Sequence, residues 1–219
     1  MAIEKKGNGM KPRIALTGGI ACGKSLLAKY LNARGVETLD ADDIVHELVP
    51  EEERRRIADE IFRDPEKRKE LEARLHPLVR ARLAAFASPE KGGRDGARPS
   101  RSRQSLTTDH CPLSSKLPTT NYQLPTIRVE IIPLLFECHW ETDYDIIICV
   151  SSPRHLQVDR LTTLRGYTEE QAEARLAAQL PAEEKAARSD YVILNDGSVE
   201  NLEHKAQKLV EWLKGSWNG

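Results

Sequence analysis

Eight residues near the start of the chain limit its possible folds more than any others: Gly18-Gly19-Ile20-Ala21-Cys22-Gly23-Lys24-Ser25. They fit the spacing G-x-x-x-x-G-K-[ST]. Ahead of them, residues 13–17 (RIALT) read as a short buried strand. Behind them, residues 24–33 read as a helix with Leu26, Leu27, Tyr30 and Leu31 on one side. A strand that turns through glycines into a helix aims backbone N–H groups and the positive helix end at one point, which is a seat for an anion. Lys24 can reach the β- and γ-phosphates of a nucleoside triphosphate there, and the Ser25 hydroxyl can ligate Mg2+. A dinucleotide-binding turn is the rival reading, because Asp40 stands ~20 residues on, where such a turn keeps its ribose-binding acid. That turn needs G-x-G-x-x-G, which is missing, and a Lys-Ser pair serves phosphate and metal instead. Cys22 reads as a neutral spacer.

The rest of the pattern suits an α/β chain. Residues 36–39 read as a second strand, running into Asp40-Ala41-Asp42 and a helix over 43–48. Residues 51–87 are helical in pattern, with expected boundaries at Asp64-Pro65 and His76-Pro77, because the residue before a proline disfavours helix. Leu71, Leu75, Leu78, Val79 and Leu83 form the apolar stripe of this segment. Residues 127–135 (IRVEIIPLL), 144–150 (YDIIICV) and 191–194 (YVIL) read as further strands. Ser152 with Pro153 reads as the cap of the next helix, and Thr168 with Gln171 as a capping box. Strands that alternate with helices predict a mostly parallel sheet. Residues 88–125 break the pattern with Gly-Gly, scattered Pro, Ser and Thr, and no periodicity, and read as a low-complexity insertion.

Composition excludes several classes. With 219 residues the chain suits one α/β domain, and a net charge of −1 gives no electrostatic reason to expect nucleic acid or an anionic membrane. No segment is apolar for long enough to span a bilayer. The four cysteines, Cys22, Cys111, Cys138 and Cys149, form no C-x-x-C pair, which fits a reducing cytoplasmic setting. No N-K-x-D segment is present to read guanine. Residues 1–12 read as a leader without the apolar stretch of a signal peptide.

Ligands of open parallel sheets gather at the carboxyl ends of strands. A carboxylate after the second strand would therefore face the terminal phosphate. Asp42 is assigned to that chemistry, as base or metal ligand, and Asp40 to capping the helix that follows. Arg160, Arg165, Arg175, Lys185 and Arg188 form a basic segment that could close over the phosphates.

At this point the residues resemble the dephospho-CoA kinase family. The resemblance is carried by ALTGGIACGKS (15–25), LDADDIVHELV (39–49), IFRDPEKRKELEARLHPLVR (61–80), PLLFE (133–137), LQVDRLTTLRGYTEEQAEARLAAQ (156–179) and YVILNDGSVENL (191–202). It implies a P-loop NTPase-type parallel sheet flanked by helices, with a helical acceptor-binding subdomain over 43–87 and a lid over 160–190. It implies MgATP as donor and the ribose 3′-hydroxyl of dephospho-CoA as acceptor. It also implies phosphate contacts from Ile20, Ala21, Cys22, Gly23, Lys24 and Ser25, with Ser25 and Asp42 toward the metal and Asp42 as catalytic base. Arg165 matches a lid arginine, His76 and Pro77 the acceptor side, and Asn195 and Gly197 a turn near adenine.

Three departures stand out. The stretch between Asp42 and Ile61 is short for the family. The insertion is extra. The acid expected two positions ahead of Pro133 is Ile131 here, with Glu130 one place earlier, so that either the strand bulges or the acid has left the site. Another small-molecule kinase, or an ATP-binding relic with a damaged acceptor site, are the alternatives.

Overall fold

The computed structural model describes residues 12–52, 65–88 and 126–217. The insertion over 88–125 lies, except for Ser88, outside the described residues, and so do residues 53–60 of the shortened stretch before Ile61.

Five strands form one sheet: β1 (Ile14–Gly18), β2 (Glu37–Asp40), β3 (Arg128–Ile131), β4 (Ile146–Ser151) and β5 (Tyr191–Leu194). Their order is β2-β3-β1-β4-β5, and every pairing is parallel. Seven helices are described: α1 (Lys24–Ala33), α2 (Ala41–Leu48), α3 (Pro65–Ala87), α4 (Arg154–Arg165), α5 (Glu169–Ala177), α6 (Ala182–Ala187) and α7 (Val199–Trp217). β1 and β4 are buried along their whole length, which is why both are apolar without alternation. β2, at the edge, is only half-buried.

The two faces of the sheet carry separate cores. On one, Ile14, Leu16, Val129, Ile131, Ile148 and Val150 meet Leu27 and Leu31 of α1 and Ala206, Leu209 and Leu213 of α7. On the other, Ala15 and Ile147 meet Val79 and Leu83 of α3 and the residues Leu135, Phe136 and Trp140 that follow β3. Each of these large side chains contributes about 1.5–3 kcal/mol by leaving water. A third cluster lies against the glycine loop, where Leu161 of α4 and Ala172 and Leu176 of α5 hold Ile20 and Ala21.

Three local expectations are corrected. Pro65 opens α3 as expected, but Pro77 does not end it; the helix runs through from Pro65 to Ala87. A proline inside a helix removes one backbone bond, and here Val79 and Leu83, both buried beyond it, hold the next turns against the core. Leu78, placed in the apolar stripe from sequence, is 50% exposed. Ser152 does not cap α4; Pro153 takes the cap position with no side-chain bond, and the Ser152 hydroxyl donates instead to Asn195 O at 2.8 Å. The Thr168–Gln171 capping box is present in both directions.

Candidate active site

The carboxyl ends of β1 and β3 lie side by side, while the chain leaves β3 for β4 on the far side of β1. This reversal opens a crevice where ligands of such sheets collect. The glycine loop grows out of β1 at that point. Gly18 has φ 147°, and a Cβ there would stand 2.2 Å from Val150 O, so no other residue fits beside β4. Gly23 has φ 99°, and a Cβ would meet Asn195 Nδ2 at 2.4 Å. The first closes the loop onto the sheet and the second turns it into α1.

The loop is braced from outside. Gln157 Nε2 donates to Ile20 O at 2.7 Å, Arg160 Nη1 to Ala21 O at 3.1 Å, and Asn195 Nδ2 to Cys22 O at 2.9 Å. Ile20 N–H donates to Gln179 Oε1 at 3.1 Å. With its carbonyls tied outward, the loop leaves the N–H groups of Ala21, Gly23, Lys24 and Ser25 without partners among the described residues. They converge at the N-terminus of α1, an arrangement suited to phosphate. Ile20 was expected to offer its N–H as well, and that group is taken by Gln179.

Lys24 is folded back, with Nζ donating to Gly18 O and Gly19 O, both at 2.9 Å. Burial pushes its pKa below the usual lysine value, and Lys185 pushes the same way, against Cys22, Asp42 and Asp40. A cation held only by carbonyls gains by meeting an anion. Asp40 caps α2, its Oδ1 accepting from Asp42 N–H at 3.0 Å, as assigned from sequence. Burial raises the Asp40 pKa, and the Asp42 and Asp43 carboxylates add to that rise. Asp42 itself is exposed, in the first turn of α2, and Ser25 is exposed in the first turn of α1.

The expected site residues do not all gather. Ile20 to Ser25, Asn195 and the Asp40–Asp42 pair are brought together around the loop. Asn195 is 7% exposed and is held by Ser151 O, Ser152 Oγ and Arg160 Nη2. Gly197 lies in the exposed turn before α7, where a Cβ would press on Asn201 Nδ2 at 2.7 Å. Arg165 is exposed at the last turn of α4 and makes no hydrogen bond or ion pair among the described residues. His76, on α3, meets the Trp140 ring edge-on at 5.0 Å and lies 3.9 Å from Cys138 Sγ; Pro77 beside it is exposed.

Four of the five basic residues read as a mobile cover are engaged. Arg160 lies behind the loop. Arg175 stacks on Tyr167 at 4.3 Å, Arg188 pairs with Glu141 at 2.7 Å, and Lys185 is fully buried.

The acid before Pro133 is resolved. β3 pairs in unbroken register with β1 and β2, so it has no bulge, and Ile131 lies in the α1 core. Glu130 takes the other face, 1% exposed, where Arg13 Nη2 donates to it at 2.8 Å and Tyr144 Oη at 2.5 Å. Burial first, and then that carboxylate, push the Tyr144 pKa well up. The acid has left the crevice and become a structural ion pair. Gln157 and Gln179 were not identified from sequence; only their spacing, on the inward side of α4 and just past α5, hints at them.

The model of the dephospho-CoA kinase family matches residues 13–55 and 113–201. His76 and Pro77 fall between the two matched stretches. The dephospho-CoA kinase of Anaeromyxobacter dehalogenans is 34% identical over 231 residues, with 92% of each chain covered. That of Thermobifida fusca is 31% identical, covering 92% of this chain and 96% of its own. Among solved structures, a Thermus thermophilus protein superposes with a TM-score of 0.66 at 29% identity, covering 93% of this chain and 98% of the other. The shikimate kinase of Acinetobacter baumannii, at 15% identity and a TM-score of 0.53 over 94% of each chain, shares the fold.

Proposed function

The chain belongs to the dephospho-CoA kinase family and phosphorylates dephospho-CoA with ATP as phosphate donor, and from that premise we propose which residues carry the transfer. The observation that supports the assignment most is the set of unpartnered N–H groups of Ala21, Gly23, Lys24 and Ser25, with the Lys24 ammonium beside them. These groups bind the β- and γ-phosphates, and Lys24 leaves its two carbonyls to meet the γ-phosphate. The ribose 3′-hydroxyl attacks that phosphorus in line with the departing ADP oxygen, and Asp42 accepts the hydroxyl proton.

Catalysis of this kind is mostly positioning and charge neutralisation. The exposed Ser25 hydroxyl and Asp42 carboxylate are hard oxygen donors that suit Mg2+, which takes one or two protein ligands beside phosphate oxygens. When bound, the ion neutralises charge on the phosphates. Asn195 and Gly197 border adenine, and His76 with Pro77 lies on the acceptor side. Residues 43–87 serve as acceptor-binding subdomain and 160–190 as lid, with Arg165 the one cation of the basic group left free to move among the described residues. No described helix is long and apolar enough to cross a membrane.

ADP release from MgATP, with and without dephospho-CoA, tests the reading. Acceptor-dependent ADP with coenzyme A as product is expected. ATP binding without acceptor-stimulated turnover would overturn it.

A further inference from the structure

Lys185 is the one lysine or arginine that is fully buried among the described residues, at 0% exposure. Its ammonium donates to Pro133 O at 2.9 Å and lies 2.7 Å from Glu137 Oε1. Both partners lead to the phosphate loop. Pro133 O also accepts from Thr17 Oγ1 at 3.4 Å, one residue ahead of Gly18. Glu137 Oε1 also accepts Leu180 N–H at 3.1 Å, and the residue before Leu180 is Gln179, which holds Ile20 N–H at 3.1 Å. Ala182, one turn before Lys185 on α6, lies 3.6 Å from the place a Cβ on Gly19 would occupy. The other carboxylate oxygen, Glu137 Oε2, is enclosed with no partner, so Glu137 holds the network through Oε1 alone.

We propose that Lys185 is a positioning residue for phosphoryl transfer: paired with Glu137, it locks the 133–137 turn to the 179–185 segment and so fixes the phosphate loop and the setting of Lys24. This rests on transfer occurring at that loop. The groups whose charges face Lys24 are Lys185 from α6, Asp42 from α2, Asp40 from β2 and Cys22 from the loop. Of these, Lys185 is the one that disfavours the Lys24 ammonium.

The test is the double variant Lys185→Met with Glu137→Gln, which avoids leaving a lone buried charge. ATP binding and steady-state kinetics for both substrates are measured. The expected result is a kcat about tenfold lower and weaker ATP binding, with KM for dephospho-CoA within about twofold of the parent. Lys185→Arg, which keeps charge and donors, recovers most of kcat. An unchanged kcat and ATP affinity would overturn the proposal. So would an equal loss of affinity for both substrates with no recovery of kcat in Lys185→Arg, which marks a structural residue. Absence of acceptor-dependent turnover in the parent protein would defeat the functional reading instead. The ATP-binding arm would still decide the role of Lys185.

Discussion

Lys24 in the free protein bonds to Gly18 O and Gly19 O, and burial depresses its pKa. Phosphate favours its charged form, so ATP binding raises that pKa. By linkage, ATP affinity is greatest below the depressed value and falls as pH rises through it. Lys24→Ala weakens ATP binding, abolishes transfer and removes this alkaline limb; calorimetric titration across pH checks all three with transfer assays. Asp42 is a different case. It is exposed, and its backbone, not its side chain, is tied to Asp40. Asp42→Asn therefore leaves α2 and ATP binding nearly intact while turnover drops about 10²–10⁴-fold. Near-normal turnover in that variant would remove Asp42 from the base role.

At the scale of elements, β3 shows how one residue of offset changes a role. Side chains alternate across a strand, so Glu130 in place of an acid at 131 faces Arg13 and Tyr144 rather than the crevice. Glu130→Ala strands a partly buried arginine and lowers stability by about 3 kcal/mol in denaturant titration, with KM for ATP unchanged. In α3, Pro77→Ala restores a backbone bond and raises the melting temperature; a fall in dephospho-CoA turnover in the same variant would tie the proline to the acceptor side.

These elements also mark what the sequence disclosed. The loop, its strand and its helix were legible because glycine spacing and apolar periodicity are local signals. Asp40 as a cap was legible for the same reason. The continuity of α3 through Pro77 was not, since local propensity argued for a break and packing of Val79 and Leu83 opposed it. Nor was the difference between Arg160, Lys185 and Arg165. All three are basic residues in one stretch, and only the fold shows that two are held inside and one faces water.

For the whole molecule, ATP binds the folded chain and not the unfolded one. At ligand a hundred times above Kd, that adds about 2.7 kcal/mol of stability. For a chain of this size the melting point rises by roughly 5–10 °C. Chelating Mg2+ lowers the shift if Ser25 and Asp42 hold the ion as proposed, and scanning calorimetry with and without chelator reads it. A shift indifferent to chelator would leave the phosphates held by Lys24 and the loop amides alone.

The central position of β1 has a consequence for synthesis. Ile14 pairs with Val129 and with Ile146, so β1 is completed by strands made more than a hundred residues later. At ribosomal speeds of about 5–20 residues per second, that interval lasts roughly 6–25 s. Through it Ile14 and Leu16, fully covered in the finished sheet, have neither neighbour strand to cover them. The nascent chain is thus a client for any holdase near the exit tunnel, and its yield in a cell depends on how long the ribosome takes to reach residue 150.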